Sequence, residues 1–199
     1  GGAWSDTPPY CFNEGGCVCN GSAIINGQRP VRVTIEEIEE DKIVLQNENS
    51  YIDITNLNQL QKNEKDEEFN LLKKTLILTN IKHKNFRIIT DTRLIPRGSG
   101  LGTSSILILA ILQAIYKYEN IKITENELIN KVLEVEKMIG TGGGWQDQGA
   151  AIRRGIKLLS SEPGKVQNLK IETINMESKE ELNNRFALIY TGKTRNSGD

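Results

Sequence analysis

Pro96-Arg97-Gly98-Ser99-Gly100-Leu101-Gly102-Thr103-Ser104-Ser105 runs directly into Ile106-Leu107-Ile108-Leu109-Ala110-Ile111-Leu112, and this junction decides the fold. Before it, Phe86 to Thr90 alternates and is β-rich; after it, Thr103 to Tyr118 reads as a helix that is apolar nearly all round. Such a helix belongs in the middle of a domain, under a sheet or between other helices. The loop between strand and helix suits an anion. Glycines at 98, 100 and 102 let backbone approach a ligand, while the N–H groups and dipole of the helix start favour negative charge. Thr103, Ser104 and Ser105 add hydroxyl donors and possible metal ligands. The loop has no Lys after its last Gly, as a P-loop would, and its spacing lacks the third Gly or Ala of the dinucleotide fingerprint. On its own it can also be read as an ordinary connection with Thr103 as N-cap.

Working outward, Ser22 to Ile25, the turn pair Asn26-Gly27 and Val31 to Ile38 predict a hairpin-like pair, with Pro30 at a strand start or edge. Lys42 to Gln46 and Tyr51 to Ile54 continue the strands. A charged stretch from Gln61 to Glu68 leads into an amphipathic helix carrying Phe69, Leu72, Leu76 and Ile77 on one side. Thr124 with Glu127 forms a capping box for a helix ending near Ile139, stopped by Gly140. Strands are expected at Ile156 to Leu159, Leu169 to Ile174 and Phe186 to Tyr190, and a helix at Ser178 to Asn184. The first twenty residues carry loop chemistry. Strands, then helices, then strands give an α+β layer rather than a regular βαβ series.

Two further segments carry chemistry. On the helix ending at Ile139, Glu136 lies i+7 from Ile129, i+4 from Val132 and i+3 from Leu133, so a carboxylate falls on the apolar stripe. Burying it unpaired is expensive, which calls for a position at the rim, a cation or a donor network. Gly140-Thr141-Gly142-Gly143-Gly144-Trp145-Gln146-Asp147-Gln148 follows, a glycine-rich loop ending in an acid among amides. Two carboxylates converging on a phosphate loop would suit Mg²⁺ and the deprotonation or orientation of an attacking hydroxyl; Asp147 can equally be an ordinary surface acid. At the N-terminus, Trp4 offers an apolar face to a sugar ring, and Ser5, Asp6 and Thr7 offer directional hydrogen bonds.

Composition narrows the choice. The 199 residues carry 25 Lys and Arg against 26 Asp and Glu, so no global basic field attracts nucleic acid or an anionic membrane. The longest apolar run, Ile106 to Leu112, is far short of the ~20 residues of a membrane span. A soluble, cytoplasmic protein is expected. Cys11, Cys17 and Cys19 have no clustered histidine to complete a zinc site and read as buried or half-buried free thiols. The one histidine, His83, sits between lysines on what reads as a solvated turn.

Taken in order, Trp4 to Pro9, Pro96 to Ser105 and Gly140 to Gln148 resemble the GHMP small-molecule kinases, and within them the L-fucose kinase branch; Tyr190 to Arg195 is similar to a further segment of that branch. The resemblance implies an N-terminal ATP-binding domain over residues 1–199, a mixed sheet packed on helices, truncated at both ends and without its C-terminal domain. It implies that Pro96, Arg97, Gly98, Ser99, Gly100, Leu101, Gly102, Thr103, Ser104 and Ser105 wrap the ATP phosphates, and that Ser104 and Glu136 hold Mg²⁺. Asp147 becomes the catalytic aspartate that accepts or orients the sugar hydroxyl proton, and Trp4, Asp6, Thr7 and Gly144 join it around the sugar. The acceptor it implies is the anomeric hydroxyl of L-fucose, giving fucose 1-phosphate. A heptose or galactose kinase is the sibling reading, and a non-catalytic nucleotide- or sugar-sensing fragment is the alternative from another class.

Overall fold

The structure is a computed structural model and describes residues 5–61, 67–96, 98–175, 184–187, 189 and 192. Its elements are α1 (Tyr10–Glu14), β1 (Gly16–Gly21), β2 (Arg32–Glu37), β3 (Ile43–Gln46), β4 (Tyr51–Ile54), α2 (Asn70–Thr79), β5 (Phe86–Asp91), α3 (Thr103–Tyr118), α4 (Glu125–Ile139), α5 (Gln146–Ile152), β6 (Ile156–Ser161) and β7 (Leu169–Ile174). They form an α+β arrangement with two sheets. One has the order β2-β5-β3-β4 and is mixed, β3 and β5 running parallel; the other, β1-β6-β7, is antiparallel throughout.

The apolar surface of α3 explains how the layers stack. Ile111 and Ile115 pack with Leu72 and Leu76 of α2 onto Ile43, Leu45, Phe86 and Ile88 of the four-stranded sheet. On another face, Ile108, Leu109, Leu112 and Tyr116 meet Leu128, Val132 and Val135 of α4. In turn, Ile129 of α4 packs with Val18, Trp145, Leu159 and Leu169 on the three-stranded sheet. Each fully buried aliphatic chain removes enough apolar area from water to favour folding by about 2 kcal/mol as an upper figure. Helix α3 is thus the central element that its composition predicts. Helix α4 starts at the predicted capping box, where Thr124 Oγ1 accepts from Glu127 N–H at 3.3 Å and Glu127 Oε2 accepts from Thr124 N–H at 2.8 Å; it stops at Gly140 in the left-handed region.

Several sequence expectations are corrected. The first twenty residues are not all loop: they form α1 and β1, and β1 pairs antiparallel with β6, Val18 opposite Leu159. A short strand with a single buried side chain, Val18, leaves little periodicity to read, and its partner lies far along the chain. Ser22 to Ile25 is not a strand; Asn26-Gly27 forms its turn, closed by one Ile25–Gln28 bridge, while β2 pairs with β5. The glycine-rich loop ends earlier than expected, because Gln146 begins α5. The expected helix from Ser178 lies outside the described residues as far as 183; of the expected strand, Phe186, Ala187 and Ile189 are described, exposed and outside any strand, and 188 and 190 are not described. All three cysteines are free, but only Cys11 is buried; Cys17 and Cys19 are exposed because alternation along β1 turns them away from Val18. His83 pairs with Glu119 at 3.1 Å on the outside of the domain.

Candidate active site

The start of α3, the end of α4, the start of α5 and the segment before α1 meet at one place. Gly102 occupies the cap position of α3 at φ +66°, and no side chain caps the helix. Thr103, which the sequence offers as N-cap, is the first helical residue. Without a capping side chain, the helix start is open for an anion. The rest of the loop faces solvent: Gly98, Gly100, Leu101 and Ser104 are exposed, and Pro96 is exposed beside buried Ile95. Ser99 is half-buried, its Oγ buried without a partner among the described residues.

Asp147 sits in the first turn of α5 with its carboxyl packed on Gly102, where a Cβ would overlap it. Only glycine permits both the positive φ and this approach. No described residue donates a hydrogen bond to the Asp147 carboxyl. Burial pushes its pKa above the ordinary carboxylate value, and the neighbouring charge of Asp6 adds to the shift.

Glu136 is 4 % exposed, on the stripe where its spacing places it. Its Oε1 accepts the Ser105 hydroxyl, and its Oε2 is buried without a partner among the described residues. Burial raises its pKa to about 7, against the Ser105 hydrogen bond, with Asp147 adding a further upward push. The hydroxyl that reaches Glu136 belongs to Ser105 and not to the Ser104 expected beside it. Residues one apart on a helix point about 100° apart, and Ser105 shares the inward face of Ile108 and Leu109 while Ser104 is exposed. That i+3, i+4 relation was available in the sequence and marks Ser105.

Asp6 is fully buried. Its Oδ2 accepts the Gln146 N–H at 3.0 Å and its Oδ1 has no partner among the described residues. Burial raises its pKa, opposed by the Gln146 hydrogen bond. Gly144 lies so close that a Cβ there would collide with the Asp6 carboxyl, and a Cβ on Gly143 would stand 2.9 Å from Glu136 Oε2. Thr7 is half-buried, and its carbonyl accepts the Cys11 N–H at the start of α1. Trp4 and Arg97 lie outside the described residues. Residues that the sequence reading missed hold the loop from behind: Asn20 donates to the Gln146 carbonyl at 2.8 Å, Gln148 to the Gly144 carbonyl at 3.1 Å and Trp145 to Gln167 at 3.0 Å.

Three acids thus meet, each with its pKa raised and each with at least one oxygen that lacks a donor among the described residues. Such a site favours hydrogen-bond donors or a cation. Among the described residues no group of three or more His, Cys, Asp or Glu could hold a metal ion, so a cation here would take most of its ligands from water or a bound phosphate. No helix among the described residues is long and apolar enough to cross a membrane.

The chain is similar to known proteins in sequence and in fold. The GHMP kinases N terminal domain matches residues 70–155. A bifunctional fucokinase/GDP-fucose pyrophosphorylase from Arabidopsis thaliana is 33% identical over 98% of this chain and 19% of its own length. An L-fucokinase/L-fucose-1-P guanylyltransferase from Bacteroides fragilis is also 33% identical, over 98% of this chain and 23% of its own. The chain therefore spans about a fifth of the length of these curated relatives. Among solved structures, a D-glycero-D-manno-heptose 1-phosphate kinase from Bacteriodes thetaiotaomicron superposes with a TM-score of 0.71 at 25% identity, covering 88% of this chain and 56% of that one.

Proposed function

We propose that this chain, which belongs to the GHMP kinase family, carries the ATP-binding and catalytic part of a sugar kinase that transfers the γ-phosphoryl group of ATP to the anomeric hydroxyl of L-fucose. The observation that carries the reading is the Asp147 carboxyl lying on Gly102 at the open start of α3. It sets a proton acceptor beside an anion-binding helix terminus, the juxtaposition that phosphoryl transfer to a hydroxyl requires.

In this reading the backbone from Gly98 to Ser105, with Pro96 and Arg97 at its entry, cradles the phosphates of ATP. Asp6, Thr7, Gly144 and Trp4 border the sugar, and Asp6 Oδ1 accepts from one of its hydroxyls. Asp147 takes up the proton of the attacking hydroxyl as its oxygen forms the new bond to the γ-phosphorus; the bond from that phosphorus to the β-phosphate oxygen breaks, and ADP leaves. Glu136 Oε2, a buried acceptor with no partner among the described residues, would supply one ligand to a Mg²⁺ ion; the exposed Ser104 hydroxyl, on a different face of α3 from the Ser105 that bonds Glu136, would reach that ion only from the solvent side. When bound, that ion neutralises charge on the transferring group. Most of the rate enhancement then comes from positioning and fixed dipoles.

The test is Mg-ATP-dependent ADP release with L-fucose, galactose and a heptose phosphate as acceptors, in the intact protein and in Asp147→Asn. Release with L-fucose that is lost in the variant, with ATP binding kept, is expected. Preference for the heptose phosphate would move the specificity toward the structural relative, and unchanged turnover in Asp147→Asn would remove that residue from the chemistry. ATP binding without release for any acceptor would favour a sensing module.

A further inference from the structure

Gln167 stands in the turn before β7, outside every motif discussed above, and is only 1 % exposed. All four of its hydrogen-bonding groups are engaged. Its N–H donates to Asn130 Oδ1 at 3.3 Å and its carbonyl accepts from Asn130 Nδ2 at 2.8 Å; its Oε1 accepts the Trp145 indole N–H at 3.0 Å, and its Nε2 donates to the Gly164 carbonyl.

Two of these partners, Asn130 and Trp145, lie on segments that carry Glu136 and Asp147, and the third, Gly164, is tied by its own N–H to the helix that follows Asp6. Asn130 is on α4, less than two turns before Glu136. Trp145 directly precedes Gln146, whose N–H holds Asp6, and Asp147, which lies on Gly102. The Gly164 N–H donates to the Phe12 carbonyl of α1, the helix that Asp6 leads into. The Trp145 ring is fully buried, so its single polar atom must find its acceptor inside the protein, and Gln167 supplies it. A buried polar network with every group satisfied selects one arrangement of its members, where an apolar contact tolerates several.

We propose that Gln167 is a positioning residue that sets Asp6, Glu136 and Asp147 relative to one another, acting through Trp145, Gly164 and Asn130. This rests on the kinase reading for its effect on turnover, but not for its effect on the three segments. An apolar side chain of similar size would fill the space, leave the Asn130 backbone bonds in place, and release Trp145 and Gly164.

The variants are Gln167→Met, which removes both side-chain bonds, and Gln167→Glu, which keeps an acceptor for the indole. In protein labelled with ¹⁵N-tryptophan, the indole signal of Trp145 is assigned by its loss in Trp145→Phe. Solvent exchange of the Trp145 indole proton is expected to accelerate at least about tenfold in Gln167→Met, and amide exchange to accelerate at residues 5–7 and 146–148 but not in β3 or β5. Turnover is expected to fall between about tenfold and 100-fold with the KM for ATP within about twofold, since a small misplacement of reacting groups costs that much. Gln167→Glu, which keeps the acceptor for the indole but not the donor to Gly164, is expected to restore slow indole exchange and to recover turnover only in part. Unchanged turnover in Gln167→Met despite a freed indole would overturn the proposal, as would equal loss in both variants with a general fall in thermal stability. If the parent protein transfers no phosphate, the kinase reading fails by itself, and the exchange rates decide: unaltered protection at 5–7 and 146–148 rejects the positioning role.

Discussion

The Ser105 hydroxyl donates to Glu136 Oε1 and leaves Glu136 Oε2 buried without a partner among the described residues. The bond joins the first turn of α3 to the last turns of α4, and it is the one described hydrogen bond that acts against the burial of this carboxyl. The stability of the protein therefore depends on pH in a defined direction. Glu136 has its ordinary pKa of 4.5 when unfolded and about 7 when folded. Between these values the folded state binds more protons at Glu136 than the unfolded one, so the contribution of Glu136 to stability is fully present below pH 4.5 and is lost as pH rises through 7. The shift corresponds to roughly 3 kcal/mol.

In buffer with a chelator, Glu136→Gln is expected to raise the thermal midpoint at pH 8 and leave it nearly unchanged at pH 4. Asp6 and Asp147 are shifted in the same direction, so the slope of the parent protein is steeper than Glu136 alone would give. Ser105→Ala removes the opposing hydrogen bond and should extend the decline to higher pH; Ser104→Ala, which changes an exposed hydroxyl, should not. Thermal unfolding from pH 4 to 9 checks all three, and parallel curves for Glu136→Gln and the parent would show that the carboxyl is not titrating as described.

Gly102→Ala should separate catalysis from binding. An alanine at φ +66° costs about 1 kcal/mol of backbone strain, and its methyl group would displace the Asp147 carboxyl that lies on this glycine. The thermal midpoint is expected to drop by a few degrees, while ADP release falls on the order of 100-fold. Steady-state assays with a nucleotide-binding titration would check this, and a variant with full turnover would place the reacting atoms away from Asp147.

How far the sequence led can be judged at particular residues. The length of α3, its central place, the cap and stop of α4 and the inward face of Glu136 follow from periodicity and end signals that act within a few residues. β1, α1 and α5 were not legible, because each is short and depends on distant partners: β1 on β6, α5 on packing against α3 and β1. The site divides in the same way. Asp6, Glu136 and Asp147 stood out as acids in unusual surroundings, whereas Gln167 and Asn20 act through contacts more than twenty and more than a hundred residues away.

Thr124→Ala tests the local signal directly. The threonine and Glu127 satisfy each other's backbone N–H groups at the start of α4, 12 residues before Glu136. Loss of the hydroxyl is expected to cost about 1 kcal/mol, seen as a lower denaturant midpoint with an unchanged slope. Because the cap is at the far end of the helix from Glu136, turnover at temperatures well below unfolding should be retained. A large loss of turnover would show that the register of α4 depends on its cap.

Gly144→Ala addresses the sugar side. A methyl group at 144 would meet the Asp6 carboxyl, whose Oδ2 is tied to the Gln146 N–H. The acid cannot move without giving up that bond, and it is fully buried, so its displacement leaves the Gln146 N–H without its acceptor, at a cost of about 1 to 3 kcal/mol. In the proposed kinase the consequence is a weaker hold on the sugar: the KM for the acceptor is expected to rise about tenfold or more, with the KM for ATP little changed, because the phosphate loop lies on the other side of Asp147. Acceptor-dependent kinetics at saturating Mg-ATP measure the first, and ATP titration the second. An increase confined to ATP would move Asp6 from the acceptor to the nucleotide.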